Sequence, residues 1–455
     1  MGDKRQNVQE NHNETVDLED KKSNAAEDEK SNLFTATFTV INSMMGSAII
    51  GLPYSMRQAG LPFGILLLIV VAYVTDYSII LLIKGGNLSG TNTYQCLVNK
   101  AFGLTGYVIL SILQFLYPFI TMISYNIIAG DTLTKVLQQI PGVGPENILA
   151  ERHFVIAMTT LVFMLPLSMY RNIANLGKIS FVSLVLTLAI VVIVVVEAAT
   201  LGPNIPPSEG AWNFAQSNAM QAVGIMAFAF VSHHSTFLIY GSLETPTINN
   251  WSCVSHISVL FSLIIYLIFA GSAYGTFTGY TQGDLFENYC KNDAWATIGR
   301  LLYGLTTILT YPIECFVIRE VIANIFFNGT LTTIFHVGVT FCIVAVAMAI
   351  SQVIECLDIV LVSNGVIVAT PLVFIIPTAC NLKLSEEPWN HWDKLKSWMI
   401  LITGGFVMIT GFVMAVMYPQ PCSHGEEMFY CKLSNTSAYD ITVNETVNYS
   451  WFKRT

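Results

Sequence analysis

Two stretches of this chain combine residues that an ordinary apolar helix avoids. The first is Gly46-Ser47-Ala48-Ile49-Ile50-Gly51-Leu52-Pro53, set inside a long apolar run. Glycine costs a helix about 1 kcal/mol relative to alanine, and proline removes a backbone donor, so this stretch favours unwinding. The second is Phe230-Val231-Ser232-His233-His234-Ser235, a polar cluster in the middle of another apolar run. A helix that unwinds in an apolar medium frees N–H and C=O groups that must find partners. The N-terminus of a half-helix favours a carboxylate and the C-terminus of one favours a cation. The chemistry these stretches suit is therefore reversible capture of a small zwitterion together with a cation. The plainer alternative is that small and polar residues only let helices pack closely. Their placement argues for a site, because the two stretches lie in the first members of two consecutive groups of five apolar runs.

Further candidates lie around them. Asn42 is one turn before the first break, and an amide oxygen suits a hard cation such as Na⁺; an interhelical hydrogen bond is the alternative use. Thr306, Thr307 and Thr310 precede Pro312, so their hydroxyls and the carbonyls freed by proline can complete a cation shell, or can simply bond back to their own helix. Asp76 and Glu314 are acids inside apolar runs, where ionisable residues are costly and are functional suspects, with Lys84 or Arg319 as candidate partners. His233 and Glu314 are the proton candidates, since imidazole titrates near neutral pH; hydrogen bonding and packing are the alternative for the histidines. Gln114, Tyr117, Tyr125 and Asn126 suit one wall of a water-accessible cavity or interhelical hydrogen bonds.

The elements that must hold these groups are membrane spans. The chain has 455 residues, is 53% hydrophobic and only 11% charged, against about 25% charged in soluble domains. Its mean hydropathy is +0.57. Crossing about 30 Å of hydrocarbon takes roughly 20 residues. Eleven runs qualify, near 34–56, 61–83, 106–129, 153–170, 177–199, 220–242, 254–278, 296–318, 334–352, 362–382 and 398–418. They are apolar on every face, which predicts all-α segments and not a barrel with alternating faces. Residues 1–31 form a charged tail expected to be disordered and cytosolic, 32–418 a transmembrane domain, and 419–455 an extracellular or luminal tail. No long apolar stretch precedes Phe34, so a cleavable leader is not expected.

Orientation follows from the bases. With the N-terminus in the cytosol, the inner side holds Lys30, Lys84, Lys100, Arg171, Lys178, Arg319, Lys383, Lys394 and Lys396, while the outer side holds Arg57, Lys135, Arg152, Lys291 and Arg300. The C-terminal tail is then outside, where its sequons at Asn435, Asn444 and Asn448 are open to glycosylation. Cys422 and Cys431 are candidates for a disulfide there. Cys290, in an outer loop, is left either free or competing for a tail cysteine. The absence of a basic stripe argues against nucleic-acid binding. No phosphate-binding GxxxxGK[ST], HExxH or GxSxG pattern occurs, so neither ATP hydrolysis nor another enzymatic activity is expected, and no cofactor.

The stretch Ile41 to Tyr54, the stretch Met226 to His234, the run Leu309-Thr310-Tyr311-Pro312 through Arg319 and the run Phe374-Ile375-Ile376-Pro377 through Leu384 resemble the sodium-coupled neutral amino acid transporters of the amino acid/auxin permease superfamily. The resemblance covers about residues 33 to 418. It implies a LeuT-like fold of two inverted five-helix repeats plus an eleventh helix, and Na⁺-coupled uptake of neutral amino acids, in some members with H⁺ antiport. It implies sodium-site roles for Asn42 and Thr310. It implies substrate contacts from Ser43, Gly46, Ser47, Phe230 and Ser232. Ala48 stands where the family usually has a third small residue, glycine. The expected partners are a neutral amino acid, Na⁺, H⁺ and the lipid bilayer of the plasma or lysosomal membrane. Two other readings are a proton-coupled amino acid transporter and an amino acid sensor with little net flux.

Overall fold

The computed structural model describes residues 31–144, 146–171, 173–327, 331–388, 390–417 and 428–433. The tail up to residue 30 and the sequons at Asn435, Asn444 and Asn448 lie outside them. Among the described residues the structure is helical, with one isolated bridge between Ser31 and Leu243. The helices are α1 (Leu33–Met44), α2 (Leu52–Ala59), α3 (Leu61–Ser89), α4 (Tyr94–Leu137), α5 (Arg152–Ser168), α6 (Ile173–Thr200), α7 (Ala219–Ala229), α8 (Thr236–Ser242), α9 (Ile248–Phe277), α10 (Ala294–Phe326), α11 (Thr333–Val353), α12 (Leu357–Leu384) and α13 (Trp392–Met417). Eight of these, α3, α4, α6 and α9–α13, are long and apolar enough to cross a membrane. α1 and α2 together make a ninth, bent by 53°. α5 and α7 are shorter apolar helices. The chain is a multi-pass membrane protein.

Local chemistry sets the ends. Asn32, Thr93, Thr247 and Asp293 cap α1, α4, α9 and α10 by accepting from the backbone N–H three residues on. α4 runs longer than its apolar stretch because a short helix from Tyr94 is joined to it at Gly103, whose φ of 68° no helix tolerates. Gly60 turns α2 into α3 at φ 85°, and a Cβ there would lie 3.0 Å from the carbonyl oxygens of Asn213 and Phe214.

The connections alternate between two faces. On one, Gln216 N bonds Ala59 O, Ser208 N bonds Thr278 Oγ1, Arg57 reaches Thr281 O and Arg152 reaches Ile354 O. A disulfide joins Cys290 to Cys431 there, with Cα atoms 5.4 Å apart. We call this the disulfide face. On the other, Ser31 bonds Ser242, Arg319 caps the Ser168 and Tyr170 carbonyls, and Tyr77 meets Ser397. The local bridge expected between Cys422 and Cys431 is not formed. The reason is the short helix Phe429–Leu433, which Tyr430 seats on the loop of residues 278–293. The Tyr430 hydroxyl donates to Asn288 O at 2.7 Å, and its ring stacks on Phe277 at 5.9 Å. That seating puts Cys431 over Cys290. Cys356 is disulfide-bonded as well, and Cys422 lies outside the described residues.

α12 is the most enclosed span, with 72% of its most apolar stretch buried, against 22% for α13, which turns most of its surface outward. The backbones of α7 and α12 touch at two glycines. A Cβ on Gly365 would sit 2.3 Å from Gly224 O, and one on Gly224 would sit 2.5 Å from Val366 Cγ2. Backbone cannot step aside as a flexible side chain can, so Gly365→Ala is expected to cost roughly 1–3 kcal/mol by overpacking. A melting temperature of the purified variant equal to that of wild type would refute this.

A candidate substrate site between two broken helices

The break between α1 and α2 is built by backbone geometry. Met45 adopts ψ 62° and Gly46 adopts φ −100°, ψ −151°, after which a 3-10 turn, Ser47–Gly51, leads to Pro53 at the start of α2. Gly46 N bonds back to Met44 O at 2.8 Å, so the Asn42 carbonyl loses the donor that a continuous helix would supply. The second break runs from Phe230 to Ser235, between α7 and α8. Here Phe230 N and Val231 N each bond three residues back, to Ala227 O and Phe228 O, and the helix stops.

The two breaks face each other. Ser43 Oγ lies 3.1 Å from Ser235 Oγ. The Tyr266 hydroxyl, from α9, lies 2.8 Å from both Met44 O and Ala229 O, the last carbonyls of α1 and of α7. Its ring packs edge-on against Phe230 at 5.0 Å. A hydroxyl has one proton, so Tyr266 donates to one of these carbonyls at a time. From α4, Tyr125 presents its hydroxyl 3.1 Å from where a Gly46 Cβ would be, so a larger residue at position 46 would close the gap. Tyr117 stacks with His234 at 5.5 Å and meets Phe228 at 5.6 Å. α12 completes the surround through Asn364, whose Nδ2 donates to Tyr117 O and Thr121 Oγ1 at 3.3 and 3.2 Å. This part of α12 is wound as π-helical turns, a geometry that recurs at functional positions.

Several buried polar atoms around the gap have no hydrogen-bond partner among the described residues: Ser232 Oγ, His233 Nδ1, His234 Nδ1, Glu314 Oε2 and Asn364 Oδ1. An unpaired buried group costs about 1–3 kcal/mol, so their number in one region indicates a place for water, ion or solute. His233 Nε2 itself is held by Ser78 Oγ at 2.7 Å.

The cation candidates sit less close together. Asn42 is half-buried, and its side chain has no hydrogen-bond partner among the described residues. Thr310 Oγ1 instead bonds Thr306 O at 2.8 Å, and Thr306 and Thr307 bond back within α10 in the same way. Pro312 nevertheless leaves the Ile308 carbonyl without its helical donor. The principal neighbours of α1 are α8 and α9, and no hydrogen bond joins Asn42 to Thr310. The Ser47 side chain lies outside the described residues, and Ala48 is buried in the 3-10 turn. Asp76 is paired away from Lys84, with Ser255 Oγ and His256 Nδ1 both at 2.7 Å. Arg319 is committed to carbonyls and Thr340, so it is not the partner of Glu314. Tyr266 was not distinguishable in the sequence from the many aromatic residues of apolar runs.

A second polar cluster lies at the disulfide face. Carboxylate oxygens of Asp131, Asp284 and Glu287 fall within 4.8 Å of one another, all buried. Arg152 pairs with Asp131 at 2.5 Å and Lys135 with Glu287 at 2.7 Å. The buried Arg300 guanidinium holds the carbonyls of Phe286, Tyr289 and Cys290, which shapes the loop presenting Asp284 and Glu287.

A multi-span membrane protein with two facing interrupted helices and unpaired polar groups around the gap has the makings of a solute carrier, and the chain belongs to the transmembrane amino acid transporter family: the profile of the family described as "Transmembrane amino acid transporter protein" matches residues 29–417. It is similar to the proteins named "Putative sodium-coupled neutral amino acid transporter 11" of Bos taurus, 62% identical over 90% of this chain and 88% of that one, and of Danio rerio, 60% identical over 90% and 91%. It is also similar to "Vacuolar amino acid transporter 2" of Saccharomyces cerevisiae, 28% identical over 84% of this chain and 82% of that one. The resemblance read from the motifs is thus upheld across the membrane region.

Proposed function

We propose that the protein is a secondary active transporter of neutral amino acids driven by Na⁺. The observation that carries this reading is the junction at Tyr266, where one hydroxyl meets the terminal carbonyls of two half-helices that both end in mid-span. In this reading the breaks of α1–α2 and α7–α8 are equivalent points of two inverted five-span repeats, with α13 as the eleventh span. The ammonium of the substrate takes carbonyls at the ends of α1 and α7, and its carboxylate takes N–H groups entering the 3-10 turn. Ser43, Gly46, Ser47, Phe230 and Ser232 surround it. Na⁺ binds beside Asn42, with Thr310 and the Ile308 carbonyl contributing from α10. The disulfide face is the extracellular or luminal one, which suits an oxidised Cys290–Cys431 pair and a cytosolic N-terminus. Membrane potential supplies about 2.3 kcal/mol per charge per 100 mV. That amounts to roughly fifty-fold accumulation of a neutral solute for each Na⁺.

Asn42→Ala is expected to raise the Na⁺ concentration for half-maximal uptake about ten-fold while changing the amino acid KM less. Unchanged Na⁺ dependence would remove Asn42 from the ion site. A proton-coupled mechanism is the second reading, favoured by the buried, unpartnered Glu314 Oε2 and His234 Nδ1. Proteoliposomes separate the two. Radiolabelled amino acid uptake is measured with a Na⁺ gradient, then with choline in its place at a fixed pH gradient. Sodium coupling predicts that choline abolishes accumulation. Accumulation that persists in choline and collapses with the pH gradient establishes proton coupling instead.

A further inference from the structure

One cavity lies apart from the gap between the broken helices. It measures about 240 Å³ and sits where α2, α7, α12 and α13 meet, near the disulfide face. Tyr54, Gln221 and Asp358 form its polar end, and Val362, Val366 and Phe412 form apolar walls. Its rim opens between exposed apolar residues, including Ile359 and Val416, on the surface that faces lipid.

Two groups at the polar end are unaccounted for. Gln221 is only 2% exposed, yet its side-chain amide has no hydrogen-bond partner among the described residues. A buried amide is ordinarily paired. Asp358 is in no ion pair among the described residues; its carboxyl accepts only from local backbone, the Ile359 N–H at 3.1 Å and its own N–H. The nearby cation, Arg57, is engaged elsewhere: it donates to Thr281 O at 2.9 Å and lies over the Tyr54 ring at 5.9 Å. Tyr54 receives Gln58 Nε2 at its hydroxyl oxygen and keeps its own proton to donate.

A carboxylate that no cation contacts directly, a free amide and a phenol at one end of an apolar slot are complementary to an amphiphile that carries a protonated amine. Size agrees with this class. An apolar cavity of about 150 Å³ accommodates benzene, so this one takes an aryl or short alkyl group with an aminoalkyl arm. We propose that the cavity binds a small primary amine that partitions into the membrane, its ammonium between Asp358 and Gln221 and its apolar part against Val366 and Phe412. Because Tyr54 belongs to α2 and Gln221 to α7, the occupant touches one half of each broken span. The proposal does not depend on which solute or ion the gap itself carries.

The test uses the purified full-length protein in phosphatidylcholine nanodiscs, with a 2-phenylethylamine bearing a photoreactive diazirine on its ring. Irradiation is expected to give saturable adducts on α12 or α13. Unlabelled 2-phenylethylamine is expected to compete at least ten-fold better than 2-phenylethanol, which has the same shape without the charge. Asp358→Asn is expected to lower the probe affinity at least ten-fold, and Ala415→Trp, which fills the slot from α13, to abolish labelling. Gel filtration reports whether each variant is folded, and the competition on wild-type protein decides the matter if either is not. Labelling that does not saturate, folded variants that label like wild type, or an alcohol that competes as well as the amine would each overturn the proposal.

Discussion

Tyr266→Phe is expected to lower the initial rate of amino acid uptake roughly ten- to a hundred-fold, with the protein still folded. The hydroxyl that is lost lies 2.8 Å from Met44 O and from Ala229 O, and these are the groups at which both half-helices end. Removing it leaves a buried carbonyl unsatisfied, a loss of about 1–3 kcal/mol. Ten-fold corresponds to about 1.4 kcal/mol. The ring is kept, so its packing on Phe230 survives and the loss falls on the relation between the two breaks. The measurement is radiolabelled uptake per mole of folded protein in proteoliposomes. A rate within two-fold of wild type would show that the Tyr266 bridge is incidental, and the reading built on it would fall.

The second large effect concerns pH at the disulfide face. Burial pushes the Asp284 carboxyl up from its ordinary value of 3.8 to about 7, and the nearby Glu287 and Asp131 carboxylates push in the same direction, while the Phe286 N–H and Lys135 oppose. Arg152 and Arg300 are the other charged groups of this cluster, and Asp284 Oδ2 has no hydrogen-bond partner among the described residues. The folded protein thus keeps a proton on Asp284 that the unfolded chain releases above about pH 4. Wherever the folded state binds more protons, stability falls as pH rises. The loss accumulates between about pH 4 and 7 and is complete above the folded value. Between pH 5.5 and 7.5 the acid side is expected to be the more stable. Thermal melts of wild type should show this rise on acidification, and Asp284→Asn should flatten it. A wild-type melting temperature that is lower at pH 5.5 than at 7.5, with Asp284→Asn behaving identically, would contradict the assignment.

The helical runs and both breaks were legible in the sequence because their causes are local. Gly46, Gly51 and Pro53 disfavour a helix by their own backbone chemistry, and Ser232 to Ser235 interrupt an apolar run by composition. The enclosure of the gap was legible only in part. Tyr117 and Tyr125 stood out beside Gln114 and Asn126, as polar company in an apolar run. Tyr266 had no such company, and its role depends on two upstream carbonyls, one more than thirty residues away and the other more than two hundred. Asn364 belongs to the same category, since its partners lie on α4. The acidic cluster was hidden for the same reason: Asp131 meets Asp284 and Glu287 only once α4 and the loop before α10 are packed. The cysteines misled because nearness in sequence favoured Cys422 as the partner of Cys431, whereas Tyr430 delivers Cys431 to a loop 141 residues upstream. The threonines of α10 took the humbler of their two readings, bonding to their own helix.

That 141-residue separation also imposes an order on biogenesis. At about 5–20 residues per second, ribosomes deliver the second half of the bridge roughly 7–30 s after the first. During that interval Cys290 is without its final partner while α10 to α13 are still being synthesised. A nascent chain halted between Cys290 and Cys356 would retain that thiol, so a maleimide reagent applied at the disulfide face would tell finished molecules from those interrupted there.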